Sequence, residues 1–177
     1  MDIRNEVDNG GQVAKVMFLV LFVALLPFFF IIGVYVQDPT STMLNNVASI
    51  TRHLPAIYSF KSPLLSKVMD VYVKTSPFVA FVLFLITHKK LRLKEDKSKW
   101  YLLRLYLLFS LFYMVLIYSF LLTNKELTNS ARVLKLMSTN DIFLSFFYIS
   151  LYCVIFLFTY LYLWFFIGTF RAFKERW

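Results

Sequence analysis

A single cysteine, Cys153, in 177 residues leaves no internal disulfide, no thiol pair for redox exchange and no cysteine-based metal site. Four glycines and five prolines are too few for a collagen-like or disordered chain. Charge is thin as well. Asp, Glu, Lys and Arg make up 16% of the residues, against about 25% in soluble domains. The sequence has no H-E-x-x-H string, no glycine-rich phosphate loop and no Ser–His–carboxylate set, so nothing in it points to an enzyme or asks for a cofactor. What is present is apolar. Hydrophobic residues make up 59%, with 21 Phe, 11 Tyr and 3 Trp, more than a soluble core of this size can hide. The composition is that of an integral membrane protein.

Long apolar runs set the architecture, an all-α bundle of four transmembrane helices forming one domain over 1–177. The first span, 16–36, is free of charge and long enough to cross about 30 Å of hydrocarbon at about 1.5 Å per residue. The mixed, acidic segment before it and the lack of a small-residue cleavage site after it speak against a signal peptide. Pro27 marks a kink near its middle. The second span, 68–87, takes in Asp70 and Lys74, four apart on one helix face where they can pair. Ser62-Pro63 reads as a helix start with serine as the cap, and Pro77 as a bend. The third span is 101–123, with Arg104 near enough to its end to snorkel. The fourth, 142–170, exceeds a perpendicular crossing and is expected to tilt or overhang.

The net charge of +9 could suggest nucleic acid in a soluble protein. Here it reads as topology, with no nucleic-acid partner. Twelve Lys and Arg fall in the amino-terminal tail, the 88–100 connection with Arg104, and the carboxy-terminal tail, against seven on the other side, six in the other two connections and Lys74 in the second span. The positive-inside rule then places both termini and the 88–100 loop in the cytoplasm. The 37–67 and 124–141 loops lie outside. Within the second of these, Val133, Leu134, Leu136 and Met137 form the apolar stripe of a small helix on the membrane surface. The basic inner loop would touch anionic membrane lipids.

His53 and His88 fall on opposite sides of the bilayer and cannot share a metal ion or haem. No ionisable residue sits at mid-membrane, where a transport pathway would put one. Asp70–Lys74 is either a local ion pair or faces a partner. Glycine occurs in the spans only at Gly33 and Gly168, and no G-x-x-x-G is present. Large aromatics are plentiful instead: Phe28, Phe29 and Phe30 in the first span, and Phe143, Phe146, Phe147, Tyr148, Tyr152 and Phe156 in the fourth. They either face lipid or form a grooved exterior that accepts another protein's helices.

Particular strings carry a resemblance. Leu54-Pro55-Ala56-Ile57 and the run from Pro63 to Phe78, containing Asp70-Val71-Tyr72-Val73-Lys74-Thr75-Ser76-Pro77, are two of them. Glu126-Leu127-Thr128, Leu134-Lys135-Leu136-Met137-Ser138-Thr139-Asn140-Asp141 and Phe147-Tyr148-Ile149-Ser150-Leu151-Tyr152 complete the set. In these segments, and over nearly its whole length, the chain resembles the colicin A-type immunity proteins.

The resemblance implies a multi-pass protein in the inner membrane of a colicin-producing Gram-negative cell. Its partner would be the pore-forming domain of a cognate colicin, which inserts a hydrophobic helical hairpin and opens under the membrane potential. The immunity protein would meet those helices within the bilayer and prevent opening. Toxin recognition is then expected at Asp70, Lys74 and Thr75, with Glu126, Thr128, Asn140 and Asp141 in the other outer loop. Two other readings stay open, a small transporter or channel and a membrane subunit of a larger complex. The sequence also leaves open whether the chain forms a homodimer.

Overall fold

In the computed structural model, which describes residues 3–88, 99–129 and 132–174, seven helices and two short strands follow one another along the chain. The basic connection expected over 88–100 falls almost entirely outside these residues, as do Ser130, Ala131 and Arg176.

Helix α1, Ile3–Gln37, continues through Pro27. Proline supplies no N–H to the carbonyl one turn earlier. The Tyr72 hydroxyl donates into this stretch, to the Ala24 carbonyl at 2.7 Å. Helix α2, Thr42–Ile50, and strand β1, Ile57–Tyr58, follow in the first long connection. The second apolar span is two helices, α3 (Pro63–Val73) and α4 (Ser76–Thr87). They part at Lys74 and Thr75, two residues before Pro77, because the ring cannot donate to the Val73 carbonyl. There the Thr75 N–H turns back to the Tyr72 carbonyl at 3.0 Å, and the Thr75 hydroxyl donates to the same oxygen at 2.7 Å.

Helix α5, Lys99–Ile117, ends in a π-helical turn over Tyr118–Leu122. Strand β2 (Lys125–Glu126), α6 (Arg132–Ser138) and α7 (Asp141–Lys174) complete the chain. Among the described residues four stretches are long and apolar enough to cross a membrane: Gly11–Gln37, Pro63–Thr87, Trp100–Leu122 and Asp141–Arg171. They coincide with the four spans expected from the sequence to within one residue at each end, except that the first begins at Gly11 rather than 16 and the second at Pro63 rather than 68.

Helix α7 is the hub, packing against α1, α3, α4, α5 and α6. Its buried face, Leu144, Tyr148, Leu151, Tyr152, Ile155, Phe156 and Tyr160, recurs every three or four residues. Lipid already solvates apolar surface, so close packing and interhelical hydrogen bonds must hold the bundle. Aromatics supply much of the packing. Phe28 is fully buried, edge-on to both Tyr72 (4.9 Å) and Tyr152 (5.5 Å), whereas its neighbours Phe29 and Phe30 point outward. In α7 likewise, Phe143 and Phe146 are exposed, but Tyr148, Tyr152 and Phe156 are core. The aromatics thus divide between interior and exterior and do not simply coat the outside.

Helix α5 leans on α7 through rings and hydroxyls. Tyr113 stacks on Tyr162 at 4.5 Å and its hydroxyl lies 2.9 Å from that of Thr159; Tyr106 and Tyr162 hydroxyls meet at 3.2 Å. Interhelical bonds of this kind contribute about 0.6 kcal/mol each in a membrane bundle. Tyr113→Phe keeps the stacked ring and is expected to lower the unfolding free energy in detergent by about that amount. A loss above about 2 kcal/mol would exceed the upper range for a single such bond.

Candidate functional site

The two long connections do not hang free of the bundle. They are joined into a cap at one end of it. Strand β1 pairs in parallel with β2, Ile57 opposite Lys125 and Tyr58 opposite Glu126. The Lys125 N–H donates to the Ala56 carbonyl at 3.2 Å and the Leu127 N–H to the Tyr58 carbonyl at 2.9 Å. The Asn124 side chain accepts the Ala56 N–H at 2.8 Å.

Extended backbone pressed against helices needs partners for its polar groups, since no water reaches them. Ile57, 1% exposed, finds them on two helices. Its N–H donates to Asp70 Oδ1 on α3 at 3.2 Å, and its carbonyl accepts the Tyr148 hydroxyl of α7 at 2.7 Å. Asp70 is itself fully buried and forms an ion pair with Lys74, one turn on, whose side chain is 16% exposed. Lys67 reaches the Leu54 carbonyl at 2.7 Å. A carboxylate inside the bundle is stable only when paired and hydrogen-bonded. Here it has both a cation and a backbone donor.

A second row of bonds ties the segment after β1 to the start of α7. The Ser59 N–H donates to the Ser66 hydroxyl at 3.1 Å, and the Ser59 hydroxyl to the Ser138 carbonyl at 3.0 Å. The Lys61 ammonium donates to the Thr139 carbonyl at 2.7 Å. Ser62, expected to cap α3, makes no such bond to its own helix. Its hydroxyl donates instead to the Asp141 carboxylate. This charge-assisted bond sets the Ser62 rotamer toward α7, and its oxygen accepts no first-turn N–H of α3.

The seven candidate recognition residues therefore fall into three places. Asp70 and Lys74 form the buried pair under β1, with Thr75 next to them at the α3–α4 break, where its hydroxyl is already committed. Glu126 and Thr128 sit together on the β2 side, half-buried, with the Thr128 hydroxyl donating to the carboxylate and Asn129 adding a 2.8 Å bond. Asn140 and Asp141 are exposed at the start of α7. The Asn140 side chain accepts the Ile142 N–H at 2.9 Å, a helix N-cap, and Asp141 occupies the first turn, where the helix dipole favours an acid. The β1–β2 pairing joins the first two places, and the serine row ties in the third.

Ser59, Ser66, Asn124 and Tyr148 are the cap residues that sequence reading passed over. One signal was present: Ser62, Ser66 and Asp70 recur every fourth residue, a polar stripe along a largely apolar helix. The apolar residues of α6 divide, with Val133 and Leu136 exposed and Leu134 and Met137 half-buried. Among the described residues no three His, Cys, Asp or Glu side chains converge to hold a metal ion.

The chain is 39% identical over 174 residues to the colicin-A immunity protein of Citrobacter freundii, covering 98% of each. It is 36% identical over 113 residues to the colicin-N immunity protein of Escherichia coli, 63% of this chain and 86% of that one. The colicin-B immunity protein of Escherichia coli is 28% identical over 153 residues, 86% of this chain and 87% of that one. No solved structure matches the chain at a significant level. The family model described as "Colicin immunity protein" matches residues 40–177, a stretch that holds the whole cap and three of the four spans, and the chain belongs to that family.

Proposed function

We propose that this protein, a single four-helix transmembrane domain, protects its cell by binding the pore-forming domain of one colicin in the inner membrane and holding the channel shut. The observation that carries this reading is the 39% identity, over 98% of each chain, to a colicin-A immunity protein. Both termini lie in the cytoplasm on this reading, and the cap faces the periplasm, from which the toxin arrives. Glu126, Thr128, Asn140 and Asp141 lie at the cap surface, where a toxin can touch them. Asp70, Lys74 and Thr75 act one layer below, by fixing the backbone of β1 and the α3–α4 break.

The energetic demand is defined. The membrane potential favours opening by about 2.3 kcal/mol per charge per 100 mV. Shifting a channel from almost always open to almost always shut requires about 5.5 kcal/mol of preference for the closed form. Van der Waals contact between helices and a few interhelical hydrogen bonds are forces available inside a bilayer.

The test is survival. A sensitive strain expressing the chain is challenged with a panel of pore-forming and nuclease colicins. Selective survival against one pore-former is expected. Protection against a nuclease colicin, or against none of the panel, would overturn the reading. Reporter fusions within 88–100 are expected to report cytoplasm; a periplasmic signal would invert the orientation.

A further inference from the structure

We propose that Tyr58 and Phe60 form a pre-set aromatic anchor through which the cap recognises the colicin pore domain, an inference that rests on the reading above. The chain from Ile57 to Phe60 alternates in exposure: Ile57 1%, Tyr58 37%, Ser59 0%, Phe60 75%. That is the two-residue period of extended backbone, so Tyr58 and Phe60 share the outward face. The inward face is fixed. Ile57 is held by Asp70 and Tyr148, and Ser59 by the Ser66 hydroxyl and the Ser138 carbonyl. Lys61, next in sequence, is held by the Thr139 carbonyl.

A large aromatic on a backbone already immobilised loses little freedom on binding, which is the property of an interface anchor. The surroundings favour protein over lipid as its cover. Aromatic belts at a membrane surface are built of Trp and Tyr, yet the most exposed ring here is Phe60. An anionic headgroup layer attracts clustered cations, yet the cations here alternate with acids: Lys125 and Glu126 stand in register with Ile57 and Tyr58, and Lys61, already held by the Thr139 carbonyl, precedes Ser62, whose hydroxyl is bonded to Asp141. An apolar centre with a rim of both signs suits the apolar face of a helix with charged flanks.

The test uses the full chain in nanodiscs of phosphatidylethanolamine and phosphatidylglycerol. The probe is the purified pore domain of colicin A, or of whichever panel colicin the wild type neutralises. Phe60→Ala is expected to weaken binding by about 30-fold and Phe60→Tyr by much less, with thermal midpoints unchanged. A loss below about tenfold for Phe60→Ala overturns the anchor while leaving the proposed function standing. A bimane label at Phe60→Cys, in a Cys153→Ser background, is expected to escape quenching by brominated lipid in the absence of toxin. Strong quenching would assign the ring to lipid and overturn the proposal. Failure of the wild type to bind any pore domain would remove the proposed function and the anchor with it.

Discussion

Asp70→Ala is expected to lower the unfolding free energy of the detergent-solubilised protein by about 3–5 kcal/mol, the usual cost of removing one partner from a buried ion pair. Two groups lose their partner at once. The Lys74 ammonium, 16% exposed, is left without its carboxylate, and the Ile57 N–H is left without an acceptor in a position that is 1% exposed. Asp70→Asn separates the two effects. It keeps an oxygen for Ile57 and removes only the charge, so its loss should fall between wild type and Ala. Tyr148→Phe, which strips the other bond to Ile57, should cost about 1–2 kcal/mol. Because Asp70 and Tyr148 hold the same residue, their double variant should depart from additivity by at least about 0.5 kcal/mol. Protection against colicin should fall for Asp70→Ala at equal membrane abundance and stay intact for Asp96→Ala in the basic connection. Guanidinium unfolding followed by near-ultraviolet circular dichroism measures the first effect; a stability loss under about 1 kcal/mol would mean that the carboxylate does not hold the strand.

The spans were legible because a bilayer demands long charge-free runs, and such runs survive in a single sequence as plainly as in a structure. The Asp70–Lys74 pair was legible for a similar reason, since residues four apart share a helix face. Its depth was not. The backbone donor that meets Asp70 in the interior is Ile57, thirteen residues earlier in a segment with no periodicity of its own, and that segment is extended because it pairs with Lys125 and Glu126. A two-residue strand has no pattern to read, and its partner lies more than sixty residues away. Ser62 failed as a cap for a related reason: its hydroxyl turns to the Asp141 carboxylate, 79 residues on, and its oxygen is not presented to the first turn of α3. Nor could the run Phe28-Phe29-Phe30 announce which ring turns inward. That is decided by Tyr72 and Tyr152, which frame a place for Phe28 alone. The seven residues expected to touch the toxin thus gather at the capped end of the bundle, some beneath the surface and some on it.

The seam between α4 and α7 yields the other large expected effect. No G-x-x-x-G pair marks a tight interface in this sequence, and Gly33 is not at a close helix contact. A methyl group added there would meet nothing within 4 Å. The small residues that matter are Ser76 and Ala80, both fully buried and four apart in α4. They continue the stripe that ends in Phe84 and Thr87, whose ring and hydroxyl meet Tyr160 of α7. Ser76 is there for its size. Its hydroxyl has no hydrogen-bond partner among the described residues, so Ser76→Ala should leave stability unchanged or raise it. Ala80→Leu is the opposite case. Three added carbons must enter a site with no exposed surface, and overpacking of a close-packed core costs about 1–3 kcal/mol. Where lipid competes equally for apolar surface, helix separation also forfeits the contacts that hold the pair. The 2.9 Å bond between Thr87 and Tyr160 would loosen with it. Ala80→Leu is therefore expected to lower stability by about 3 kcal/mol and to abolish protection, whereas Gly33→Ala should change stability by less than about 1 kcal/mol in either direction. Equal unfolding midpoints for Ala80→Leu and Gly33→Ala in the same detergent would show that α4 and α7 are not joined along this seam.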